Sequence, residues 1–395
     1  LHMTATTNSA TSSATSSATS STDYIRSLDT NDPNDVDAIL EVTNTDRDAA
    51  ISVVKNNADT IFTWDYEKGA RPRLAKLYEK SKHSMWDGEI DLDWSTNVEL
   101  DQLAADMAML GEVQFRPIHR AAEEPGSPLK NWGDKEFHEF SMQSLVWQLS
   151  QFLHGEQGAL VATAKIVETV PWIDAKYYAS TQVMDEARHV EVFAKYLDTK
   201  IEDSYQVNPH LQHLLDDVIN DSRWDMTYLG MQIMIEGLAL AAFGFLHSMT
   251  TEPLLKKLLR YVMSDEARHV AFGVLSLQEV YQHMSLAEIQ ERQEFAFEAA
   301  LRMRDRFLQQ EVWHRMGVEN VKPIIQAQLN ASDEEKEFQR LLFSKIVPNC
   351  RKLGLLDAGD GWLRTKFEEI GVIQFEHLES TDEEYADFAL ADGDA

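Results

Sequence analysis

From residue 139 to about 316, apolar side chains return every three or four positions, the period of one face of an α-helix. The pattern predicts a first long helix from Glu139 to about Val170, stopped by Pro171, which has no N–H to continue the hydrogen-bond ladder. A second runs from Ile173 to about Thr199, and a short one covers 209–219. A third runs from about Trp224 to Thr250 and a fourth from Glu252 to about Met284. Ser285, with Glu288 three residues on, has the form of a capping box and opens a fifth helix to about Met316. Residues 23–138 are more mixed. Short helices are expected near 35–43 and 46–57, and the aromatic, charged stretch from Trp64 to Trp94 is expected to wrap the bundle. Residues 317–378 read as helices with breaks at Pro323, Pro348 and Gly361. Strand signals are scarce, and no Gly-, Ser- or Pro-rich linker lies between 23 and 378. The expected fold is all-α, a four-helix bundle over 139–316 with additional covering helices, in one compact domain.

Polar residues placed on apolar faces carry the chemistry. Asp-Glu-Ala-Arg-His-Val occurs at 185–190 and again at 265–270, and Glu156 and Glu236 share the same 80-residue offset. Glu156 has Phe152, Leu153, Ala159 and Leu160 on its face, and Glu236 has Ile233, Ala239 and Leu240. A carboxylate buried without a partner there would cost several kcal/mol. Glu186 and His189, three apart, share a helix face, as do Glu266 and His269. One glutamate from each of two helices and a Glu-x-x-His from each of two others form the ligand set of a carboxylate-bridged dimetal site. Four glutamates also balance two divalent cations. Nitrogen and oxygen donors without thiolate suit iron or manganese, so two iron ions are expected, and a manganese–iron pair fits the same ligands. Asp185 and Asp265 are placed to accept the free ring N–H of an imidazole on the facing helix, with Arg188 and Arg268 neutralising them.

Composition narrows the partners. A net charge of −30 opposes binding to nucleic acid or an anionic membrane. The single cysteine, Cys350, forms no internal disulfide and suits a reducing cytoplasm. The apolar run Leu229 to Leu246 approaches membrane-spanning length, but Gln232 and Glu236 interrupt it and favour a buried helix. No secretory pattern is visible, and the protein is expected to be cytoplasmic. Residues 1–22, rich in Ser, Thr and Ala, are expected to be disordered. Residues 379–395, with seven acidic side chains and no basic one, are expected to form a solvated tail.

On the six ligand candidates and their spacing, the chain resembles the ferritin-like carboxylate-bridged diiron oxidases and oxygenases over roughly 139–284. The resemblance implies O2 as co-substrate and electrons from a reductase or ferredoxin. It also implies Glu156, Glu186, His189, Glu236, Glu266 and His269 as metal ligands, with Glu186 and Glu266 as the bridging pair. Departures separate it from the subfamilies. Ribonucleotide reductase small subunits usually place an aspartate at Glu156 and a tyrosine at Phe193. Arylamine N-oxygenases add a third histidine where this chain has Val262. Multicomponent hydroxylases often place a threonine at Leu240. The expected function is O2-dependent oxidation of a small organic molecule by hydroxylation, N-oxygenation or a related two-electron reaction. The alternatives are a ferroxidase, or a ligand-binding oxidase with a manganese–iron centre; a homodimer is also considered. Phe152, Leu160, Phe193, Gln232, Leu240 and Phe243, near the ligands in helical register, are expected to line the substrate pocket. Trp147, Tyr177 and Tyr178 are aromatic candidates for electron delivery.

Overall fold

The computed structural model describes residues 32–42, 51–106 and 115–385, and every regular element among them is helical. Before the bundle come the short helices α1 (Val36–Glu41), α2 (Pro72–His83) and α3 (Arg116–Glu123), and residues 100–106 are helical as well. Residues 51–57 are not helical, against the expectation for 46–57, whose first residues lie outside the described ones. This stretch leads into a chain fixed at the Pro171 turn. The Ile61 N–H donates to the Glu168 carbonyl at 2.9 Å, and Thr63 Oγ1 to the Pro171 carbonyl at 2.7 Å. Within the stretch itself, Asn57 donates its side-chain amide to the Asn220 carbonyl at 3.1 Å, so contacts with the bundle hold this segment.

The bundle starts earlier than its apolar period. The Gly133 amide donates to the Glu136 carboxylate at 2.8 Å, giving α4 (Asp134–Thr169) a polar first turn. After the Pro171 break, α5 (Ile173–Tyr196) packs back against α4 and ends in a π turn, Leu197–Ile201, closed by Glu202 at φ 58°. Asn208 caps α6 (Pro209–Asn220). The third core helix, α7 (Trp224–Met249), is long and apolar enough to cross a membrane, but 83% of its most apolar window is buried inside the protein. Residues Leu229–Ile235, just before Glu236, are wound as a π-helix. Glu252, accepting from the Leu254 and Leu255 amides, caps α8 (Pro253–Tyr281). The Ser285–Glu288 capping box opens α9 (Leu286–Asp305).

The fifth helix does not run unbroken to Met316. A 3-10 turn, Arg306–Leu308, and Gln309 at φ 53° divide α9 from α10 (Gln310–Arg315). Further on, Pro323, Pro348 and Gly361 stand at helix starts rather than at breaks. They lie in the first turn of α11 (Lys322–Leu329), in the first turn of α13 (Ile346–Lys352) and at the N-cap of α14 (Trp362–Glu369); α12 is Glu337–Leu341. Proline is tolerated there because the first helical N–H groups lack internal acceptors.

The acidic tail also differs from expectation. Ser380, Thr381 and Asp382 are buried. The Thr381 amide donates to Asn349 at 2.9 Å, and Asp382, Glu383 and Glu384 pair with Arg73, Lys352 and Lys345. Cations on α2 and at the two ends of α13 hold this stretch down. Residues 386–395 and the expected disordered stretch 1–22 lie outside the described residues.

Two glycines set the closeness of the helices around the site. A Cβ at Gly230 would fall 2.3 Å from Val218 Cγ2, and one at Gly273 would fall 2.6 Å from Gln232 Cβ. At Gly230 α7 thus packs closely on α6, and at Gly273 α8 packs closely on α7 one turn before Glu236.

Candidate dimetal centre

The six expected ligands converge. Glu156 comes from α4, Glu186 and His189 from α5, Glu236 from α7, and Glu266 and His269 from α8. All six are buried, none more than 5% exposed. Their donor atoms fall into two groups, each within 4.8 Å: Glu156, Glu186, His189 and Glu266, then Glu186, Glu236, Glu266 and His269. Glu186 and Glu266 belong to both. His189 Nδ1 lies 3.1 Å from Glu156 Oε2 and from Glu266 Oε1, and His269 Nδ1 lies 3.0 Å from Glu186 Oε1. Several of these approaches lack hydrogen-bond geometry, so Glu186 Oε2, Glu236 Oε2, both Glu266 oxygens and His269 Nδ1 are buried without a hydrogen-bond partner. Buried lone pairs aimed at common points fit a pair of cations.

Electrostatics point the same way. Burial, then the charge of Glu266, raises the Glu156 carboxyl well above its ordinary range. Burial, then Glu186 and Glu266, does the same to Glu236. Burial would lower both imidazoles, but Glu156 beside His189 and Glu186 beside His269 raise them well above the usual value. Glu186 goes the other way: burial would raise it, but the charges of His269 and His189 beside it hold it far below. The protein-only cluster keeps protons that two cations would displace.

The supporting contacts cross between helices. His189 Nε2 faces Asp265 of α8 at 3.2 Å, and His269 Nε2 faces Asp185 of α5 at 3.3 Å. Arg188 bonds Asp185 at 2.5 Å and Asp265 at 3.1 Å; Arg268 bonds Asp265, and Asp185 at 3.4 Å. Burial would raise the Asp265 carboxyl, but its bond with His189 and the Arg268 charge hold it far below its usual range.

Two contributors escaped the sequence reading. Gln182, one turn before Glu186, donates to Glu186 Oε1 at 2.9 Å and Glu236 Oε1 at 3.0 Å. A polar residue on that core face was the available signal. Trp86, from the covering segment, donates its indole N–H to Asp265 Oδ2 at 2.7 Å and stacks on Tyr261 at 4.9 Å. It is this aromatic that touches the polar frame. Trp147 instead donates to Glu311, and Tyr178 packs on Phe272; Tyr177 stacks on Tyr78.

A small cavity of about 20 Å³ adjoins the cluster. Gln151, Phe152, Gly155, Glu156, Ala159, Ile235, Glu236, Ala239, Phe243, Glu266 and Arg306 line it. Of the six expected pocket residues, Phe152 and Phe243 are in the wall; Phe193 stacks behind them, at 6.0 and 5.8 Å. Leu160, Gln232 and Leu240 stand outside the lining. On α4 the residue three after Glu156, Ala159, faces the space rather than Leu160. On α7 the π turn changes the register before Glu236, presenting Ile235 and leaving Gln232 against Gly273, its amide without a hydrogen-bond partner.

A four-helix core with a Glu-x-x-His on each of two helices and a glutamate on each of the other two is the arrangement found in ferritin-like carboxylate–histidine dimetal sites. The sequence pattern of the P-aminobenzoate N-oxygenase AurF family matches residues 164–354, just under half of the chain. That stretch holds every ligand candidate except Glu156, and it includes Val262, which leaves the cluster with two histidines. Two solved structures of R2-like ligand-binding oxidase variants with a Mn/Fe cofactor are similar to the chain. One is 17% identical, covering 72% of this chain and 94% of its own, with a TM-score of 0.44. The other is 15% identical, covering 76% and 100%, with a TM-score of 0.48. No curated protein matches.

Proposed function

We propose that the protein is a non-haem dimetal oxygenase that uses O2 to oxidise a small organic molecule. N-oxygenation of an arylamine is the first reaction to test. The observation that carries this reading is the pair of overlapping donor groups sharing Glu186 and Glu266 beside an apolar-walled cavity. Glu156, Glu186 and His189 would hold one ion and Glu236, Glu266 and His269 the other, with Glu186 and Glu266 reaching both. Two irons, or manganese and iron, held there would supply O2 activation and two-electron oxidation. The chain's own residues do the rest. Asp185 and Asp265 hold the imidazole N–H groups and fix both tautomers, so that each Nδ1 keeps its lone pair for a metal. Gln182 ties Glu236 to Glu186. Phe152, Ala159, Ala239 and Phe243 exclude water from the reacting space. The family match supports N-oxygenation among the possible oxidations. Electrons would come from a reductase or ferredoxin in the cytoplasm, and a homodimer would be compatible with this chemistry.

The test is to load reduced iron, add O2, and follow the optical transient with and without aromatic amines, aldehydes and other arenes. Faster decay with one compound, and an oxygenated product, support the reading. Steady conversion of excess Fe(II) into mineral, indifferent to every organic compound, would replace it with ferroxidase activity.

A further inference from the structure

Where the end of α9, the start of α12 and the end of α14 meet, the fold encloses a second cavity of about 180 Å³. None of its lining residues belongs to the dimetal cluster. The chain has 66 acidic residues against 36 basic ones, yet this cavity is lined by three cations, Arg304, Lys336 and Arg340. Two of them are held in place. Arg304 bonds Asp305 at 2.7 Å and Asn34 at 3.1 Å. Arg340 bonds Asp333 at 2.7 Å, and its Nε is buried without a hydrogen-bond partner. Its guanidinium passes against Gly371, where φ is 72° and an added Cβ would fall 2.7 Å from Nη2, so glycine leaves it room.

Lys336 is the cation left over. Its ammonium makes no hydrogen bond or ion pair among the described residues. Burial, then the charge of Arg340, pulls it below its usual range; Asp333 opposes them and Arg304 adds to them. Cations gathered in this way favour an anion between them. Three of them suit a dianion, and a phosphate has acceptor oxygens for each. The same cavity has an apolar side, Leu329, Phe343 and Val372, all buried. Two exposed carboxylates, Glu368 and Glu369, also line it, and Glu369 is paired with Lys366 at 2.8 Å. Glu368 is then the charge that opposes an anion there.

We propose that Arg304, Lys336 and Arg340 bind the phosphate of a small phosphate ester, whose organic part rests on Leu329, Phe343 and Val372. This site stands whether or not the cluster is an oxygenase. Its cavity is smaller than the roughly 300–1,000 Å³ of sites for drug-sized ligands, which limits the organic part to about one ring.

The experiment is calorimetric titration of the iron-loaded protein, without O2, with benzyl phosphate, inorganic phosphate and benzyl alcohol. Benzyl phosphate should bind once per chain and about tenfold more tightly than inorganic phosphate, because its ring leaves water. Benzyl alcohol, without the charge, should not bind measurably. Lys336→Gln should weaken benzyl phosphate about ten- to a hundredfold, and Glu368→Gln should tighten it. Lys336 is half-buried and Glu368 exposed, and neither belongs to the cluster, so both variants should fold and keep wild-type metal content. Inorganic phosphate held as tightly as benzyl phosphate would mark a free-phosphate site and overturn the ester assignment. No saturable binding of either phosphate overturns the proposal. So does binding unchanged by Lys336→Gln, which would put the phosphate elsewhere, as on the metal ions. If Lys336→Gln fails to fold, the wild-type preference and Glu368→Gln still decide.

Discussion

Replacing Asp265 by asparagine removes one charge and almost no volume, and its effect can be worked out from four contacts. Asp265 faces His189 Nε2 at 3.2 Å, Trp86 Nε1 at 2.7 Å and Arg188 at 3.1 Å, and it pairs with Arg268. It is 1% exposed. Removing it leaves two buried guanidinium groups sharing Asp185 alone, and breaking a buried pair in this way costs about 3–5 kcal/mol. The His189 ring also loses the acceptor that fixes its tautomer, which costs about 10- to 100-fold in metal affinity, or about 1.4–2.7 kcal/mol. Asp185→Asn is the natural control. Asp185 contacts the same two arginines and His269 but no indole, so its loss should be milder and should weaken the other ion. Urea unfolding of the metal-free variants gives the first quantity, and competition with a chelator gives the second. Two results would refute the reasoning: Asp265→Asn holding both ions within twofold of wild type, or Asp185→Asn costing more stability than Asp265→Asn.

Glu236→Ala should reduce metal content from two ions per chain to one or fewer, read by elemental analysis; two ions held at wild-type affinity would remove Glu236 from the ligand set. Glu156 and Glu236 have raised carboxyls and His189 and His269 raised imidazoles, so loading expels protons. Affinity should therefore fall as pH is lowered, by about tenfold (about 1.4 kcal/mol) per unit for each proton released. Calorimetry in buffers of different ionisation enthalpy counts those protons, and a count of zero contradicts the expectation. Gly273→Ala places a methyl group 2.6 Å from Gln232 Cβ; a loss of about 1–3 kcal/mol is expected in thermal unfolding, together with weaker metal binding. Ser285→Ala breaks the α9 capping box and should cost about 1 kcal/mol in stability while leaving metal content unchanged.

The ligand cluster was legible because its two signals reinforce one another. Buried glutamates break apolar faces at Glu156 and Glu236, and the Glu-x-x-His spacing repeats at the same offset. The crossed aspartates were legible too, since Asp185 and Asp265 directly precede the candidate ligands Glu186 and Glu266. What escaped depends on contacts between segments distant in sequence. The π turn at Leu229–Ile235 lies inside a continuous apolar helical period, so the sequence pattern does not mark it. Reading α7 as a regular helix put Gln232 in the pocket and left Ile235 out. The 3-10 turn that aims Arg306 inward lies inside an otherwise helical period. The acidic stretch at 380–384 looked solvated because its cations, Arg73, Lys345 and Lys352, come from elsewhere in the chain. Trp86 was hidden for the same reason.

The crossed aspartates have a further meaning for assembly. The α4–α5 hairpin carries the aspartate that serves the imidazole of α8, and the α7–α8 hairpin carries the one that serves α5. Each hairpin also lends a glutamate to both donor groups. Neither half could keep a finished site if it separated, as two fused but self-sufficient copies could. With metal bound as proposed, uptake would report that the two hairpins have docked in register, and an ion held by one hairpin alone would be a sign of misassembly. A repeat that looks like duplication in sequence behaves in the folded chain as mutual dependence.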